Sequence, residues 1–332
     1  MDLEGGVREA NVDLRILVTG ATGFVGSAVL ARAALDPTLQ LRGAVRRAVT
    51  LADGVEPVAI GDLAPVTNWA QAVSGIDAIV HTAARVHQTR DSAADPLAEY
   101  RRINVASTVN LARQAVEAGV RRFVFLSSIK VNGERTLPGR SFTADDVPAP
   151  IDPYGISKLE AEHALRELSQ EFGMEMVIVR PVLIYGPGVK ANFLSMMRWI
   201  DRGIPLPLGA IPNQRSFVAL ENLVDLIMTC LHHPAAANQT FLVGDGEDLS
   251  TTELLRRTAA SMGRRSRLIP VPASALRTVA RLLGRGDFAQ RLCDSLQVDI
   301  SKTRELLGWA PPVTVHDALK RTALRFTEQR IR

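Results

Sequence analysis

Leu14-Arg15-Ile16-Leu17-Val18-Thr19-Gly20-Ala21-Thr22-Gly23-Phe24-Val25-Gly26 is the stretch whose reading settles the fold class. Residues 14–18 form an apolar run of strand length. Gly20, Gly23 and Gly26 follow at a spacing of three, and 27–35 then reads as a helix. Strand, glycine turn and helix in that order build an anion site. Glycine lets the backbone turn tightly and approach a pyrophosphate, and the free N–H groups at the helix start face its charge. Thr22, Phe24 and Val25 lie between and beside the glycines and belong to the same candidate cradle. A bare glycine pattern is a weak signal; the strand–loop–helix setting strengthens it.

Beyond this loop, 41–45, 55–60, 77–81, 122–126 and 176–179 read as strands, and 68–73 and 103–118 as helices. Short apolar runs alternating with helices predict an α/β fold with a Rossmann-type, doubly wound parallel sheet. After Gly188 the alternation weakens, proline and glycine punctuate 203–212, and 251–263 and 315–330 look helical. The expected organisation is an NAD(P)-binding domain over 14–188, with sheet contributions from about 213–245. A smaller, mixed, substrate-binding subdomain is expected over 189–330.

The chain has 332 residues, 46% hydrophobic and 22% charged, a balance that permits a sizeable core and argues against disorder. Its net charge of +4 is spread along the sequence, which speaks against a nucleic-acid partner and suits an anionic small substrate. The denser basic stretch from Arg256 to Arg267 reads as a solvated helix end and turn. Cys230 and Cys293 have neither CxxC nor Cys/His ligand spacing, so no disulfide framework and no metal site are expected. His232-His233, just before Pro234, reads as a helix end. Residues 1–13 look like a loose polar leader without the apolar core of a signal peptide. No apolar run approaches the roughly 20 residues that span a bilayer, so a cytoplasmic address is expected.

An acid at the end of the second strand would bind the adenosine ribose of NAD, whereas arginine favours the 2′-phosphate of NADP. Arg46 and Arg47 stand there, and guanidinium forks suit phosphate, so NADP is favoured with NAD as the alternative. Asp62, with Leu63 beside it, follows the third strand at a position suited to the adenine amino group. Further on, Tyr154 and Lys158 are four apart and share a helix face. The ammonium is expected to lower the phenol pKa, making Tyr154 an acid/base near neutral pH. Ser128 closes a buried strand where its hydroxyl can hold the reacting oxygen and the tyrosine.

Further motifs join these: Gly61-Asp62-Leu63, His81-Thr82-Ala83-Ala84, Asn104-Val105-Ala106-Ser107-Thr108, Arg180-Pro181, Tyr185-Gly186-Pro187-Gly188, Arg215-Ser216-Phe217-Val218 and Leu307-Gly308-Trp309. With them the chain resembles the extended short-chain dehydrogenase/reductase family, in its nucleotide-sugar epimerase/dehydratase branch, from Leu14 to about Pro312. The resemblance implies an enzyme acting on a nucleotide-diphosphate sugar, UDP favoured, and commonly a homodimer through helices like 104–118 and 154–171. It implies Ser128, Tyr154 and Lys158 as the catalytic residues, with Lys158 also on the nicotinamide ribose. Asn104 would support the site, Ala83 and Ala84 would lie beside the cofactor, and Pro181 and Leu183 would border the nicotinamide. Asn192 and Arg215 would grip the substrate diphosphate, with Arg291 and Asp294 around the nucleotide and Ser128 on the sugar.

Departures from the family pattern narrow the chemistry. Sugar dehydratases carry an Asp-Glu pair after the serine; here Ile129-Lys130 stands, so 4,6-dehydration is not expected. Val131-Asn132-Gly133 replaces a common Val-Tyr-Gly, and Leu183 stands where the family often has asparagine. Arg85-Val86-His87 resembles a subgroup that handles N-acetylated hexosamines, and Arg85 or His87 could contact the sugar. Arg46 and Arg47 tip the reading to a 4-ketoreductase of a UDP-4-keto-6-deoxy-hexosamine with Tyr154 as proton donor. The alternative is a UDP-hexose or UDP-N-acetylhexosamine 4-epimerase with tightly held NAD. A non-catalytic NAD(P)-binding sensor is a third reading, but such modules typically lose the tyrosine or the lysine. The arginine-bearing amphipathic stretch 274–284 could lie on anionic lipid and serve a lipid-linked sugar; packing onto the core is the favoured reading.

Overall fold

The computed structural model describes residues 14–86, 95–284 and 286–331, so His87 lies outside the described residues. Among the described residues nine strands form: β1 (Leu14–Thr19), β2 (Leu39–Val45), β3 (Val55–Ala59), β4 (Ala78–His81), β5 (Arg122–Leu126), β6 (Glu175–Pro181), β7 (Leu183–Tyr185), β8 (Phe217–Ala219) and β9 (Thr240–Val243). Seven of them make one sheet in the order β3-β2-β1-β4-β5-β6-β9. Every neighbouring pair is parallel, the arrangement the sequence predicts.

The helices are α1 (Phe24–Ala33), α2 (Ala70–Val73), α3 (Pro96–Tyr100), α4 (Ser107–Glu117), α5 (Pro153–Phe172), α6 (Ala191–Asp201), α7 (Leu220–His232), α8 (Thr251–Ser261), α9 (Ala273–Leu282), α10 (Gly286–Cys293), α11 (Ser301–Leu307) and α12 (Val315–Ile331). Side chains alternate across the sheet with the strand period of two. Ile16, Val18, Val80, Val124, Val177 and Val179 pack on one face, under α1 and α7. Leu17, Ile79, Phe123, Phe125 and Ile178 pack on the other, with Trp69 and residues of α4 and α5. Burial on both faces is why these strands read as continuous apolar runs.

β1 has β2 on one side and β4 on the other, so successive crossovers leave it in opposite directions. The crevice at that switch point opens above the carboxyl ends of β1 and β4, at Thr19 and His81. β7 and β8 form a separate two-stranded parallel ladder. Beyond it Tyr185, Phe193, Leu254 and Leu319 build a third cluster, and Ile200, Leu206, Ile211, Leu255 and Cys293 a fourth.

Three sequence expectations change. The first helix starts at Phe24, because the glycine turn closes within Gly20–Gly23. The helix expected over 103–118 is preceded by a π-helical turn over Arg101–Ala106, a wider local winding that the apolar period does not encode. The expected core packing of 274–284 is only partial. No residue of α9 is buried, because Ala273 and Leu276 only lean on the fourth cluster and the opposite face points outward.

Candidate active site

The glycine loop caps the switch point. Gly20 adopts φ +67°, a left-handed turn that favours glycine, and Gly23 donates its N–H to the Gly20 carbonyl at 2.8 Å. A Cβ on Gly26 would fall 2.2 Å from that same carbonyl oxygen, so α1 can approach β1 only without a side chain there. No side chain caps α1, no acid lies in its first turn, and Thr22 and Gly23 are exposed. Phe24 is partly buried and Val25 fully buried, anchoring the turn. Helix-end N–H groups with the positive end of the dipole behind them fit a dinucleotide pyrophosphate. Gly26→Ala is expected to cost about 1–3 kcal/mol through overpacking against rigid backbone and to lower the nucleotide held per chain. Thermal melting and released-nucleotide assay check it together.

Arg46 and Arg47 follow β2, exposed, and make no ion pair among the described residues. Asp62 is exposed and Leu63 partly buried beyond β3. Ala83 donates its N–H to Thr19 Oγ1 at 3.2 Å, fixing the loop that also carries Ala84 over the β4 end. Pro181 is buried at the end of β6, whereas Leu183 is half exposed. His81 is held between Thr19 Oγ1 (2.8 Å from Nδ1) and Thr108 Oγ1 (3.0 Å from Nε2). Burial, and then the Lys158 charge, depress its pKa to about 3, so it is a neutral pin joining β1, β4 and α4.

Tyr154 and Lys158 arrive on α5, whose start is written locally. Asp152 caps the helix by accepting the Gly155 N–H at 2.7 Å, and Pro153 occupies its first turn. The Ser128 hydroxyl lies near enough to Tyr154 to lower its pKa, and the Tyr154 ring meets Tyr100 edge-on with centroids 6.0 Å apart. Lys158 Nζ donates to the Leu126 carbonyl at 2.8 Å and lies 4.4 Å from the Phe125 ring centroid. Burial pushes the Tyr154 phenol well above its ordinary pKa; the Asp152 charge adds to this, and the Ser128 hydroxyl opposes it. Burial likewise lowers the Lys158 pKa to about 7, against the pull of Glu162. The Ser128 hydroxyl acts in the direction expected of Lys158, whose Nζ is engaged at the end of β5.

The π-helical turn holds Asn104 buried between two elements. Its Oδ1 accepts the Arg85 N–H at 2.8 Å, and its Nδ2 donates to the Arg85 carbonyl at 3.1 Å and to Ser157 Oγ at 3.1 Å. Ser157 Oγ in turn donates to the Tyr154 carbonyl at 2.8 Å. The Arg85 guanidinium lies over the Tyr100 ring, 5.4 Å from its centroid. Arg85 is thereby joined to the tyrosine site, one of the two residues proposed from the 85–87 segment.

Lys130, which stands where dehydratases carry an acid, is ion-paired with Asp152 and lies 3.4 Å from Glu134. It offsets the carboxylate that raises the Tyr154 pKa and braces the cap of α5. Without it the phenol ionises at still higher pH. The limb of a pH–rate profile set by Tyr154 is therefore expected to move to higher pH in Lys130→Met and to stay in place in Lys130→Arg.

A second cluster forms from the C-terminal half. Arg215 Nη1 donates to the Asp294 carbonyl at 3.0 Å; burial, with Arg291 adding to it against Asp294, lowers the Arg215 pKa. The Asp294 carboxylate pairs with Arg277 at 2.7 Å and faces Arg135 at 3.8 Å. Arg277 and Arg135 thus reach the carboxylate of Asp294, Arg215 its backbone carbonyl, and Arg291 lies near enough to Arg215 to act on its charge, an excess of positive charge that suits a diphosphate. Asn192 is exposed near the start of α6 and makes no hydrogen bond among the described residues. Arg277 and Arg135 escape sequence reasoning because they reach Asp294 from α9 and from the loop after β5. Asp152 was findable, as an Asp-Pro pair just ahead of a helical pattern.

Residues 16–244 match the NAD dependent epimerase/dehydratase family. The chain belongs to this family. It is an NAD(P)-dependent enzyme of the short-chain dehydrogenase/reductase type. A UDP-glucose 4-epimerase of Vibrio cholerae is 48% identical over 314 residues, covering 94% of this chain and 95% of the relative. Among solved structures, MoeE5 in complex with UDP-glucuronic acid and NAD is 25% identical with a TM-score of 0.76, covering 95% of this chain and 99% of that one. The UDP-glucuronic acid 4-epimerase of Bacillus cereus in complex with NAD shares the fold, with a TM-score of 0.77 at 20% identity and coverage of 95% and 99%. Both solved structures hold NAD, so the preference for NADP drawn from Arg46 and Arg47 finds no support in them. Among the described residues, no helix of this epimerase/dehydratase-family chain is long and apolar enough to cross a membrane.

Proposed function

We propose that the chain is a UDP-hexose 4-epimerase that keeps NAD bound through turnover. The observation that carries this is its likeness, along nearly its whole length, to the Vibrio cholerae UDP-glucose 4-epimerase. The NAD-bound relatives favour this reading over the 4-ketoreductase that Arg46 and Arg47 suggest.

The glycine loop and the start of α1 would hold the pyrophosphate, Arg46, Arg47 and Asp62 the adenosine end, and Lys158 and Asn104 the nicotinamide half. Bound there, NAD supplies a hydride acceptor that returns the hydride to the same sugar. Tyr154 Oη, in its phenolate form, would take the proton of the C4 hydroxyl and later give it back. Ser128 Oγ, which acts on the Tyr154 phenol, would hold the same sugar oxygen. Arg215 and Arg291, with Arg277 and Arg135 behind them, would hold the UDP diphosphate while the hexose turns over. With Ile129-Lys130 after Ser128, and Lys130 tied to Asp152, no acid pair stands there to drive loss of water.

The test incubates purified protein with UDP-galactose, and separately with UDP-N-acetylgalactosamine, without added cofactor or reductant. Separation of the C4 epimers reads the result. Growth of the gluco epimer to a fixed ratio supports the proposal. No interconversion of either sugar, together with NADPH consumption on a UDP-4-keto-6-deoxy-N-acetylhexosamine, would overturn it in favour of the reductase.

A further inference from the structure

We propose that the outer face of α9 docks this enzyme on an anionic lipid surface. The inference goes beyond the epimerase reading and does not depend on which hexose is turned over. α9 presents Ala273, Leu276 and Ala280 inward, and the first two lean on the fourth core cluster. Ala275, Val279 and Leu282 recur at helical spacing on the opposite face, with Leu283 just beyond. Val279 is 53% exposed, Leu282 82% and Leu283 69%, an apolar stripe that nothing in the chain covers among the described residues.

The sequence that carries that stripe holds charge of one sign. Between Glu253 and Asp287 the sequence carries arginine repeatedly and no Asp or Glu at all. Arg256, Arg257, Arg264 and Arg277 are engaged by carboxylates of neighbouring segments. Arg265, Arg267 and Arg281 are exposed and make no ion pair among the described residues. The segment leading into α9 also exposes Ile269, and Ile204 lies on the strap that pairs with it. An exposed apolar helix face with Arg281 on the same helix, and Arg265 and Arg267 in the segment leading into it, all unpaired among the described residues, is the composition that seats a helix at the boundary of headgroups and acyl chains and draws it to anionic lipid. A second protein would need acidic groups to match these arginines; an anionic bilayer supplies them continuously. Arg277 joins α9 to Asp294, so docking would bring the mouth of the candidate diphosphate cluster to the lipid surface.

The test sediments the full chain with sucrose-loaded vesicles of phosphatidylcholine alone or with about one third phosphatidylglycerol. Partition is expected to be at least about tenfold stronger on the anionic vesicles and to fall in high salt. Leu282→Asp/Leu283→Asp, at exposed positions outside the catalytic machinery, is expected to abolish it. Arg265→Glu/Arg267→Glu weakens it, and Leu35→Asp, an exposed leucine just beyond α1, leaves it unchanged. Melting curves and UDP-hexose turnover in solution confirm that each variant is folded. Failure of the parent chain to pellet overturns the proposal, as does pelleting that survives both double variants. It is equally overturned if light scattering shows a dimer that the Leu282→Asp/Leu283→Asp variant dissociates, which would assign the face to a second copy of the chain.

Discussion

Tyr154→Phe is expected to lower UDP-hexose turnover about a thousandfold while leaving the bound nucleotide in place. The substitution removes one oxygen and keeps the ring, so the edge-on contact with Tyr100 and the helix that carries both survive. On the proposed function, what is lost is the group that receives the hydroxyl proton as the C4–H bond breaks. Ser128 remains but has no partner to pass that proton to, and its hydroxyl is an ordinary weak base. Lys158 does not substitute, because its ammonium is committed to the Leu126 carbonyl and the Phe125 ring at the end of β5. The measurement is kcat for epimer interconversion alongside nucleotide released on denaturation. Turnover within about tenfold of the parent would remove Tyr154 from the chemistry. Loss of the bound nucleotide as well would make the phenol part of the cofactor's hold rather than the acid/base.

How much of this was legible depends on the range of the interaction. The sheet was legible because β1, β4, β5 and β6 are buried on both faces and so read as uninterrupted apolar runs between turn signals. The glycine loop was legible because backbone geometry demands glycine at Gly20 and Gly26 whatever surrounds them. Tyr154, Ser157 and Lys158 come from one helix, whose Asp-Pro start is itself a local signal. The π-helical turn was not legible: Asn104 is turned inward to Arg85 by winding, and the residues that select the winding show no period of their own. The partner that Lys158 takes was not legible either. Spacing places two side chains on one face but does not say that the ammonium will turn to a strand end. The arginine cluster at Asp294 draws Arg135, Arg215, Arg277 and Arg291 from four segments, and no local pattern marks a convergence made only by tertiary packing.

Glu162 shows the same long-range logic beneath the site, and its removal is expected to be the costliest single change to stability. It sits one turn past Lys158 on α5, fully buried. Its two oxygens accept from Arg180 at 2.9 and 2.6 Å, and Oε1 also accepts from Ser127 Oγ at 2.5 Å. Arg180, on β6, is 2% exposed, and its remaining partner is the neutral Asn132 Oδ1 at 3.0 Å. The pair therefore clamps the catalytic helix to the sheet and to the segment that follows Ser128. Glu162→Ala leaves a guanidinium in the core with one neutral acceptor, a loss of about 3–5 kcal/mol that urea unfolding would read directly. Replacing both charges tests the cause, since an apolar pair of similar volume avoids the uncompensated ion. Glu162→Leu/Arg180→Met is expected to recover most of the stability that Glu162→Ala loses. Turnover should recover less, because the hydrogen bonds to Ser127 and Asn132 that register α5 against Ser128 are gone. If the double variant is no more stable than Glu162→Ala, the hydrogen bonds of the pair to Ser127 and Asn132, not the uncompensated charge, hold the helix down.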